Sequence, residues 1–235
     1  MKPKKYQARV ISIVNYGKRS SLYRLSVSNE FSFEPGQFVM VILKDKEGKE
    51  ARRAYSIASS PNEKGHIELL VTRIEGGIAS EFFKRLKAGD SFEILGPMGV
   101  FKIREKLSDP TYFVATGCGI APFISMIRSL LEKGVKSRII LLYGFRHEVD
   151  YLCKEYVEGM LENYPNFSVI SVMSQPKGKW KGYVGRVTSF IDIAIEPKED
   201  TQVYICGQKE MIGVVAEELM KRGAKKENII FERWF

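Results

Sequence analysis

Residues 112–122 read YFVATGCGIAP, and this stretch predicts the fold of the second half of the chain. Four residues with strand composition precede a glycine turn, and apolar residues then recur at helical spacing from Ile120 to Lys133, with Gly134 as the C-cap. A glycine turn between a strand and a helix is the context of dinucleotide-binding fingerprints, because glycines admit a ligand close to the backbone and the helix N-terminus favours phosphate. Here the motif is GxGxxP rather than the usual GxGxxG. The residues also fit a glycine turn that only packs, but the strand–turn–helix context favours binding.

Strands and helices alternate along the rest of this half. Segments with strand composition run from Ser137 to Tyr143, from Phe167 to Met173 and from Gln202 to Cys206. Helical patterns fall between or after them, at Tyr151–Leu161 and Glu210–Arg222. This alternation predicts βαβ units on a parallel sheet.

The first half of the chain has a different pattern. Short alternating segments separated by Gly, Pro, Asn and Asp predict an antiparallel barrel or sandwich; they are Lys5–Asn15, Ser21–Val27, Gln37–Leu43, His66–Arg73 and Ser91–Leu95. One helix is predicted from Ser80 to Leu86, with Ser80 as its N-cap. We therefore expect two domains: an antiparallel β-barrel domain over residues 1–105 and an α/β domain with a parallel sheet over residues 106–235.

The composition of the 235 residues is that of a globular protein, with 44% hydrophobic and 28% charged residues. No apolar run approaches the roughly 18 residues of a membrane helix, and no apolar signal segment follows the N-terminus. We therefore expect a soluble cytoplasmic protein without membrane insertion. The three cysteines, Cys118, Cys153 and Cys206, are too widely spaced for a zinc or iron–sulfur motif, so no metal is expected.

The net charge of +9 is concentrated in the first half of the chain. Residues 1–105 hold 19 Lys and Arg against 12 Asp and Glu, a balance of +7. A positive surface favours acidic partners such as nucleic acid, anionic lipid or an acidic protein. Because the cations are dispersed among acids and no nucleic-acid motif is present, nucleic acid is not the expected partner.

Two short motifs in the first half combine residue types that suit a cofactor. Arg53-Ala54-Tyr55-Ser56 brings together a cation, an aromatic ring and a hydroxyl, and in an extended chain Arg53 and Tyr55 would share one face and Ser56 the other. This motif also fits a strand with Tyr55 half buried and Arg53 in solvent. Gly76-Gly77-Ile78-Ala79-Ser80 opens a helix and fits either a phosphate site or an ordinary turn.

Two further motifs lie near the end of the chain. Cys206 ends a predicted parallel strand, where open α/β sheets bind ligands, although a buried structural cysteine is the alternative. The last residues are Glu232-Arg233-Trp234-Phe235. Chain ends usually fray unless they are tied down, so the two aromatic residues suggest a flat surface to cover.

In this order and spacing the motifs resemble the ferredoxin–NADP⁺ reductase family of flavoproteins, from the PGQF segment at Pro35–Phe38 to the C-terminus. The resemblance implies an FAD-dependent enzyme that transfers hydride between NADPH and flavin N5. It also implies exchange of single electrons with ferredoxin or flavodoxin, acidic carriers that suit the basic first half. The alternatives are a reductase subunit of a larger electron-transfer complex and a flavin-binding module without turnover.

The resemblance implies a flavin site in the first domain. Arg53 would pair with the flavin phosphate, Tyr55 would stack on the isoalloxazine ring, and Ser56 would hydrogen-bond near flavin N5. The residues expected to run beside the flavin are Val71, Thr72 and Arg73. The backbone N–H groups expected to hold the pyrophosphate belong to Gly77, Ile78, Ala79 and Ser80.

The resemblance also implies a nicotinamide cofactor site in the second domain. The residues expected to cradle its pyrophosphate are Thr116, Gly117, Gly119 and Pro122. Cys206 would lie beside nicotinamide C4, with Gly207 and Met211 shaping the pocket. NADP⁺-specific members often carry Ser-Arg after the third strand, whereas this chain has Ser174-Gln175. The missing phosphate charge could come from one of four cations: Arg146, Lys177, Lys179 or Arg186. The expected cofactor is NADP(H), with NAD(H) as the alternative.

The C-terminus resembles that of the bacterial members. There the first aromatic residue, here Trp234, covers the flavin, and the second, here Phe235, packs on the adenine of a folded FAD. This match favours FAD over FMN. Glu232 corresponds to a carboxylate linked to proton relay, so the expected catalytic residues are Ser56, Cys206 and Glu232.

Overall fold

The computed structural model describes residues 2–45, 47–178 and 180–233. The chain divides into two compact units. The first runs to Ile103 and includes Ile124–Ser129, and the second begins at Arg104 and takes the remaining residues. Each unit is built around its own sheet.

The first unit is an antiparallel barrel, as the sequence predicts. Its strands are β1 (Lys4–Tyr16), β2 (Ser20–Ser26), β3 (Phe38–Lys44), β4 (Glu50–Ser56), β5 (His66–Thr72) and β6 (Ser91–Met98). Within the described residues the strand order is β4-β3-β6-β1-β2-β5, and every pairing is antiparallel. An isolated bridge between Ile57 and Leu69 joins the end of β4 to β5. This bridge closes the sheet, because β4 and β5 are the two edges of the strand order.

A cluster of aromatic rings packs the helix of this unit against the barrel. The helix is α1 (Ile78–Arg85), and its Phe83 is only 1% exposed. The Phe83 ring lies 4.8 Å from the Tyr23 ring and 5.1 Å from the Tyr55 ring, centroid to centroid. The Tyr23 hydroxyl also donates a 2.7 Å hydrogen bond to the Phe83 carbonyl. Phe83 therefore holds α1 in place and supports one side of Tyr55.

The prediction that Ser80 caps this helix is wrong. The N-cap is Gly77, in an extended conformation, and α1 begins at Ile78, two residues earlier than expected. The Ser80 hydroxyl instead accepts a 2.7 Å hydrogen bond from the Ile74 backbone N–H. The reason is the double glycine before the helix, which turns the chain back so that the serine reaches the preceding loop.

The second unit carries a parallel sheet, as the sequence predicts. Its strands are β7 (Thr111–Thr116), β8 (Ile139–Phe145), β9 (Phe167–Met173), β10 (Tyr183–Val184), β11 (Val203–Gly207) and β12 (Ile229–Arg233). The helices that follow along the chain are α2 (Ile120–Glu132), α3 (Lys154–Asn163), α4 (Ile191–Ala194) and α5 (Lys209–Lys221). The middle of α2, Ile124–Ser129, groups with the first unit, whereas both of its ends belong to the second. For the described part of the chain the strand order is β10-β9-β8-β7-β11-β12, all parallel.

The strand order reverses between β7 and β11. From β7 the chain adds β8, β9 and β10 on one side, and then returns to add β11 and β12 on the other. Open parallel sheets bind ligands at such a reversal, beyond the carboxyl ends of the strands. Every residue of β11 is buried, as expected for a strand covered on both faces. None of the helices in the described ranges has the length and apolar character needed to span a bilayer.

Replacing Phe83 with alanine should lower the free energy of unfolding by about 3–5 kcal/mol, because the change leaves a cavity between α1 and the barrel. The matched control is Phe231→Ala, since that ring is 43% exposed on β12 and its loss should cost about 1 kcal/mol or less. Urea unfolding followed by circular dichroism measures both. Equal losses in the two variants would contradict the role given to Phe83.

Candidate functional site

The RAYS motif lies on β4, at one edge of the strand order of the barrel. Arg53 is exposed, and its guanidinium donates a 2.8 Å hydrogen bond to the Arg52 carbonyl. Tyr55 is half buried against Phe83, whereas Ser56 is buried. The strand alternation therefore puts the cation and the ring on one face and the hydroxyl on the other, as the sequence predicts.

The end of β5 is bound to the tip of the β1–β2 hairpin. Val71 is buried, and the Thr72 hydroxyl lies 2.9 Å from the Ser20 hydroxyl. The backbone N–H of Arg73 donates to the Arg19 carbonyl at 2.8 Å, and its guanidinium donates to the Lys18 carbonyl. Arg73 is thus held by two backbone acceptors, and the strand end it follows has a fixed position.

The double glycine connects this strand end to α1. The first N–H groups of a helix have no acceptor within the helix, and at α1 these belong to Ile78, Ala79 and Ser80. They are a suitable site for an anionic phosphate, since the helix dipole adds to their partial positive charge. Ile74, two residues before the first glycine, is 67% exposed, so the loop that leads into α1 lies at the surface.

In the second unit, two motifs that are far apart in the sequence form one packed cluster. They lie at the carboxyl ends of β7 and β11, on the two sides of the strand-order reversal. A Cβ on Gly119 would lie 2.3 Å from the Cys206 carbonyl oxygen. A Cβ on Gly207 would lie 2.3 Å from the Thr116 hydroxyl oxygen and 2.6 Å from the Met211 methyl carbon. Side chains larger than hydrogen are excluded at both glycines.

The hydroxyl of Thr116 is the most direct sign of a ligand in this cluster. Its oxygen is buried and has no hydrogen-bond partner among the residues that the structure describes. Buried polar atoms are normally paired, so an unpaired hydroxyl in a glycine-walled turn suits a polar ligand. Pro122 is buried in the first turn of α2, where its missing N–H costs little.

The ends of β8 and β9 place Arg146 and Ser174 on adjacent chain segments. Ser174 donates its backbone N–H to the Phe145 carbonyl, and Gln175 donates to the Arg146 carbonyl, both at 2.9 Å. Arg146 and Ser174 are both exposed. The two residues therefore stand side by side at the carboxyl edge of the sheet.

The sequence interpretation missed an aromatic group beside this edge. The Phe145 ring stacks on Tyr151 at 4.7 Å and meets the edge of Trp180 at 5.7 Å. Burial raises the pKa of Tyr151, although a hydrogen bond from Ser171 opposes the shift. The only sequence signal was an isolated tryptophan in a loop rich in lysine and glycine, which gives no information about its neighbours.

Cys206 and Glu232 lie next to each other on neighbouring strands. Cys206 is opposite Glu232 on one side and opposite Ala115 on the other. The thiol is fully buried, which agrees with a packing role as well as with a place beside a ligand at the strand end. Trp234 and Phe235, the expected aromatic covers, lie outside the described residues. In the described ranges no group of three or more His, Cys, Asp and Glu side chains could hold a metal ion.

Comparison with known proteins assigns both halves to protein families. Residues 7–103 match the oxidoreductase FAD-binding domain, and residues 113–217 match the oxidoreductase NAD-binding domain. A ferredoxin–NADP⁺ reductase from Neisseria gonorrhoeae, solved with bound FAD and NADP, has the same fold, with a TM-score of 0.85, 20% identity and full coverage of both chains.

Two relatives with curated descriptions match nearly all of this chain. The phenol hydroxylase P5 protein of Acinetobacter pittii is 33% identical over 97% of this chain and 65% of that protein. This chain thus spans about two thirds of that relative's length. Ferredoxin–NADP reductase B of Sorangium cellulosum is 30% identical over 97% of each chain. The end-to-end match to the Sorangium reductase, together with the two domain matches, means that this chain belongs to the ferredoxin–NADP⁺ reductase family of FAD- and NAD(P)-binding oxidoreductases.

Proposed function

We propose that this chain is an FAD-dependent oxidoreductase that exchanges hydride with NADPH and single electrons with an acidic carrier protein, ferredoxin or flavodoxin. The cytoplasm, where thiols stay reduced, is the proposed setting. The observation that carries the proposal is the cluster at the strand-order reversal, where two closely packed glycines adjoin the unpaired Thr116 hydroxyl. Bound FAD would supply the redox chemistry, whereas the protein supplies binding, orientation and electrostatics.

The barrel residues would bind and orient the flavin. Arg53 would neutralise a phosphate through a charge-assisted hydrogen bond. Tyr55, backed by Phe83, would present its ring to the isoalloxazine. Ser56 would hydrogen-bond near N5, with Val71, Thr72 and Arg73 alongside. The N–H groups at Gly77, Ile78, Ala79 and Ser80 would hold the pyrophosphate, since the start of α1 is suited to an anion.

The parallel-sheet residues would bind the nicotinamide cofactor. Its pyrophosphate would be cradled by Thr116, Gly117, Gly119 and Pro122. Cys206, with Gly207 and Met211, would hold the nicotinamide so that C4 is oriented for transfer, which is a positioning effect. Glu232, opposite Cys206, would act with Ser56 on the proton at flavin N5. The roles of Trp234 and Phe235 as covers of the flavin and the adenine rest on the resemblance alone.

NADPH is proposed over NADH because of the charge at the ends of β8 and β9. Arg146 and Ser174 are exposed residues held side by side by backbone hydrogen bonds, and a guanidinium paired with a 2′-phosphate gains a charge-assisted contact. A ribose without that phosphate would instead be expected to meet an acidic residue in this region. Arg146 stands where such an acid would be expected in an NAD site.

The alternative function is that of the reductase component of a larger oxygenase system. The similarity to the phenol hydroxylase P5 protein supports it, since that relative is 33% identical. The cofactor chemistry would be unchanged, and the electron acceptor would differ. Copurification of oxygenase subunits with this chain, and their reduction by it, would favour the alternative.

An anaerobic titration tests the central proposal. The purified yellow protein should lose its flavin absorbance with NADPH, and NADPH should be effective at a concentration about tenfold lower than NADH. That ratio corresponds to about 1.4 kcal/mol from one charged contact. The control is Arg146→Ala, which should reduce the difference between the two cofactors. Protein that is colourless and does not bind added FAD would disprove the flavin site, and yellow protein that neither cofactor bleaches would indicate a binding module without turnover.

Substitution of Cys206 tests its position beside the nicotinamide. Cys206→Ala should retain flavin but slow flavin reduction by NADPH about tenfold or more, because the nicotinamide loses a contact that orients it. Stopped-flow absorbance measures the rate. The control is Val203→Ala, which removes buried volume from the other end of the same strand and should leave the rate unchanged. An unchanged rate in Cys206→Ala would leave the thiol with a packing role only.

The carrier is expected to dock near the basic hairpin tip. Lys18 and Arg19 are exposed beside Arg73, in the half of the chain that carries the +7 excess. Reversing both charges to glutamate should lower kcat/KM for an acidic carrier about tenfold or more and reduce its salt dependence. Reduction of a small neutral dye should not change. The control is the double variant Lys133→Glu and Lys136→Glu, which makes the same charge change at an exposed site of the second unit. An equal fall in kcat/KM in that control would contradict the docking site.

A further inference from the structure

The hydroxyl of Tyr143 connects two segments that no strand pairing joins. Tyr143 is fully buried on β8, opposite Ala115 of β7. Its hydroxyl donates a 3.2 Å hydrogen bond to the Gly117 carbonyl and accepts a 3.3 Å hydrogen bond from the Leu152 backbone N–H. One side chain thus pairs a backbone acceptor in the turn after β7 with a backbone donor in the segment before α3.

The turn that receives this hydrogen bond is constrained at both of its glycines. Gly117 has a φ of +53°, a left-handed conformation that glycine adopts without a steric penalty. Gly119 rests directly on the Cys206 carbonyl, so it cannot move towards β11. The Tyr143 hydroxyl acts on Gly117, which lies between Thr116, packed against Gly207, and Gly119.

The ring that carries this hydroxyl is itself fixed. Its centroid lies 5.3 Å from the Phe145 ring and 5.5 Å from the Tyr151 ring. Burial, reinforced by the neighbouring Cys153, holds the pKa of Tyr143 well above its ordinary value. The hydroxyl therefore keeps its proton throughout the physiological pH range and is a constant donor to Gly117.

We propose that Tyr143 is a positioning residue for the nicotinamide cofactor, which fixes the Gly117 end of the phosphate-binding turn through its hydroxyl. The proposal rests on the proposed function, because it takes the turn to be the pyrophosphate site. Tyr143 itself touches no cofactor atom in this proposal. Losing the hydroxyl would leave the Gly117 carbonyl and the Leu152 N–H without this partner, and the turn would sample other conformations.

The structure offers a matched control for a buried tyrosine hydroxyl that lies away from the turn. Tyr112 is buried at the start of β7, and its hydroxyl accepts a 3.3 Å hydrogen bond from the Glu196 backbone N–H. Tyr112→Phe removes the same atom from a similar environment in the same unit. A general loss of stability should therefore appear in both variants, whereas an effect on the turn should appear in one.

The experiment compares Tyr143→Phe and Tyr112→Phe with the unmodified holoprotein. In Tyr143→Phe, the Kd for NADP⁺ measured by calorimetry and the KM for NADPH should each rise about tenfold, with flavin content and kcat at saturation retained. In Tyr112→Phe both constants should stay within about twofold, while the melting temperature falls in both variants.

Two results would overturn the proposal. One is a Kd for NADP⁺ that is the same in Tyr143→Phe as in the unmodified protein, when the unmodified protein binds NADP⁺. That result would leave the proposed function intact and remove only the positioning role. The other is an equal rise in Kd in both tyrosine variants, which would indicate general destabilisation. An unmodified protein that binds neither NADP⁺ nor NAD⁺ would defeat the proposed function itself and, with it, the positioning role.

Discussion

The contact of Gly119 with the backbone of β11 is the constraint on which the parallel-sheet unit depends. A Cβ on Gly119 would lie 2.3 Å from the Cys206 carbonyl oxygen, so only a hydrogen fits there. The backbone of the turn after β7 therefore packs directly on the backbone of β11. Gly207 of β11 is constrained in the same way from the other side, because a Cβ there would collide with the Thr116 hydroxyl. Both contacts lie where the strand order reverses, which is the position at which open parallel sheets bind ligands.

The barrel positions its candidate site by a different means, through side-chain packing. Phe83 of α1 contacts both Tyr23 and Tyr55, and the Tyr23 hydroxyl binds the carbonyl of Phe83. The same helix presents its N-terminal N–H groups next to the double glycine. One buried ring therefore positions both Tyr55 and the helix whose N-terminus is the candidate anion site. A change at Phe83 would consequently disturb stability and the candidate flavin site together.

The local sequence pattern gave a reliable guide wherever one segment decides its own structure. The strand–turn–helix at 112–132 and the alternation of β3 follow from glycine, β-branched residues and periodicity. The Ser80 cap was predicted wrongly because the Ser80 hydroxyl accepts the Ile74 N–H of the preceding loop, and the fold of that loop is not visible in the helix sequence. The two-residue strand β10 and the four-residue helix α4 were not predicted, since elements so short carry no measurable period.

The sequence by itself determined the order of an all-β and an α/β unit, the glycine turn between β7 and α2, and the family to which the motifs point. Those features depend on residue types at close spacing, which a linear pattern records. Only the tertiary structure decided that Cys206 supports Gly119, that Arg146 stands beside Ser174, and that the Tyr143 hydroxyl reaches Gly117. These contacts join residues from 26 to 87 positions apart in the chain, and strand order and register, rather than local preference, bring them within a few ångströms.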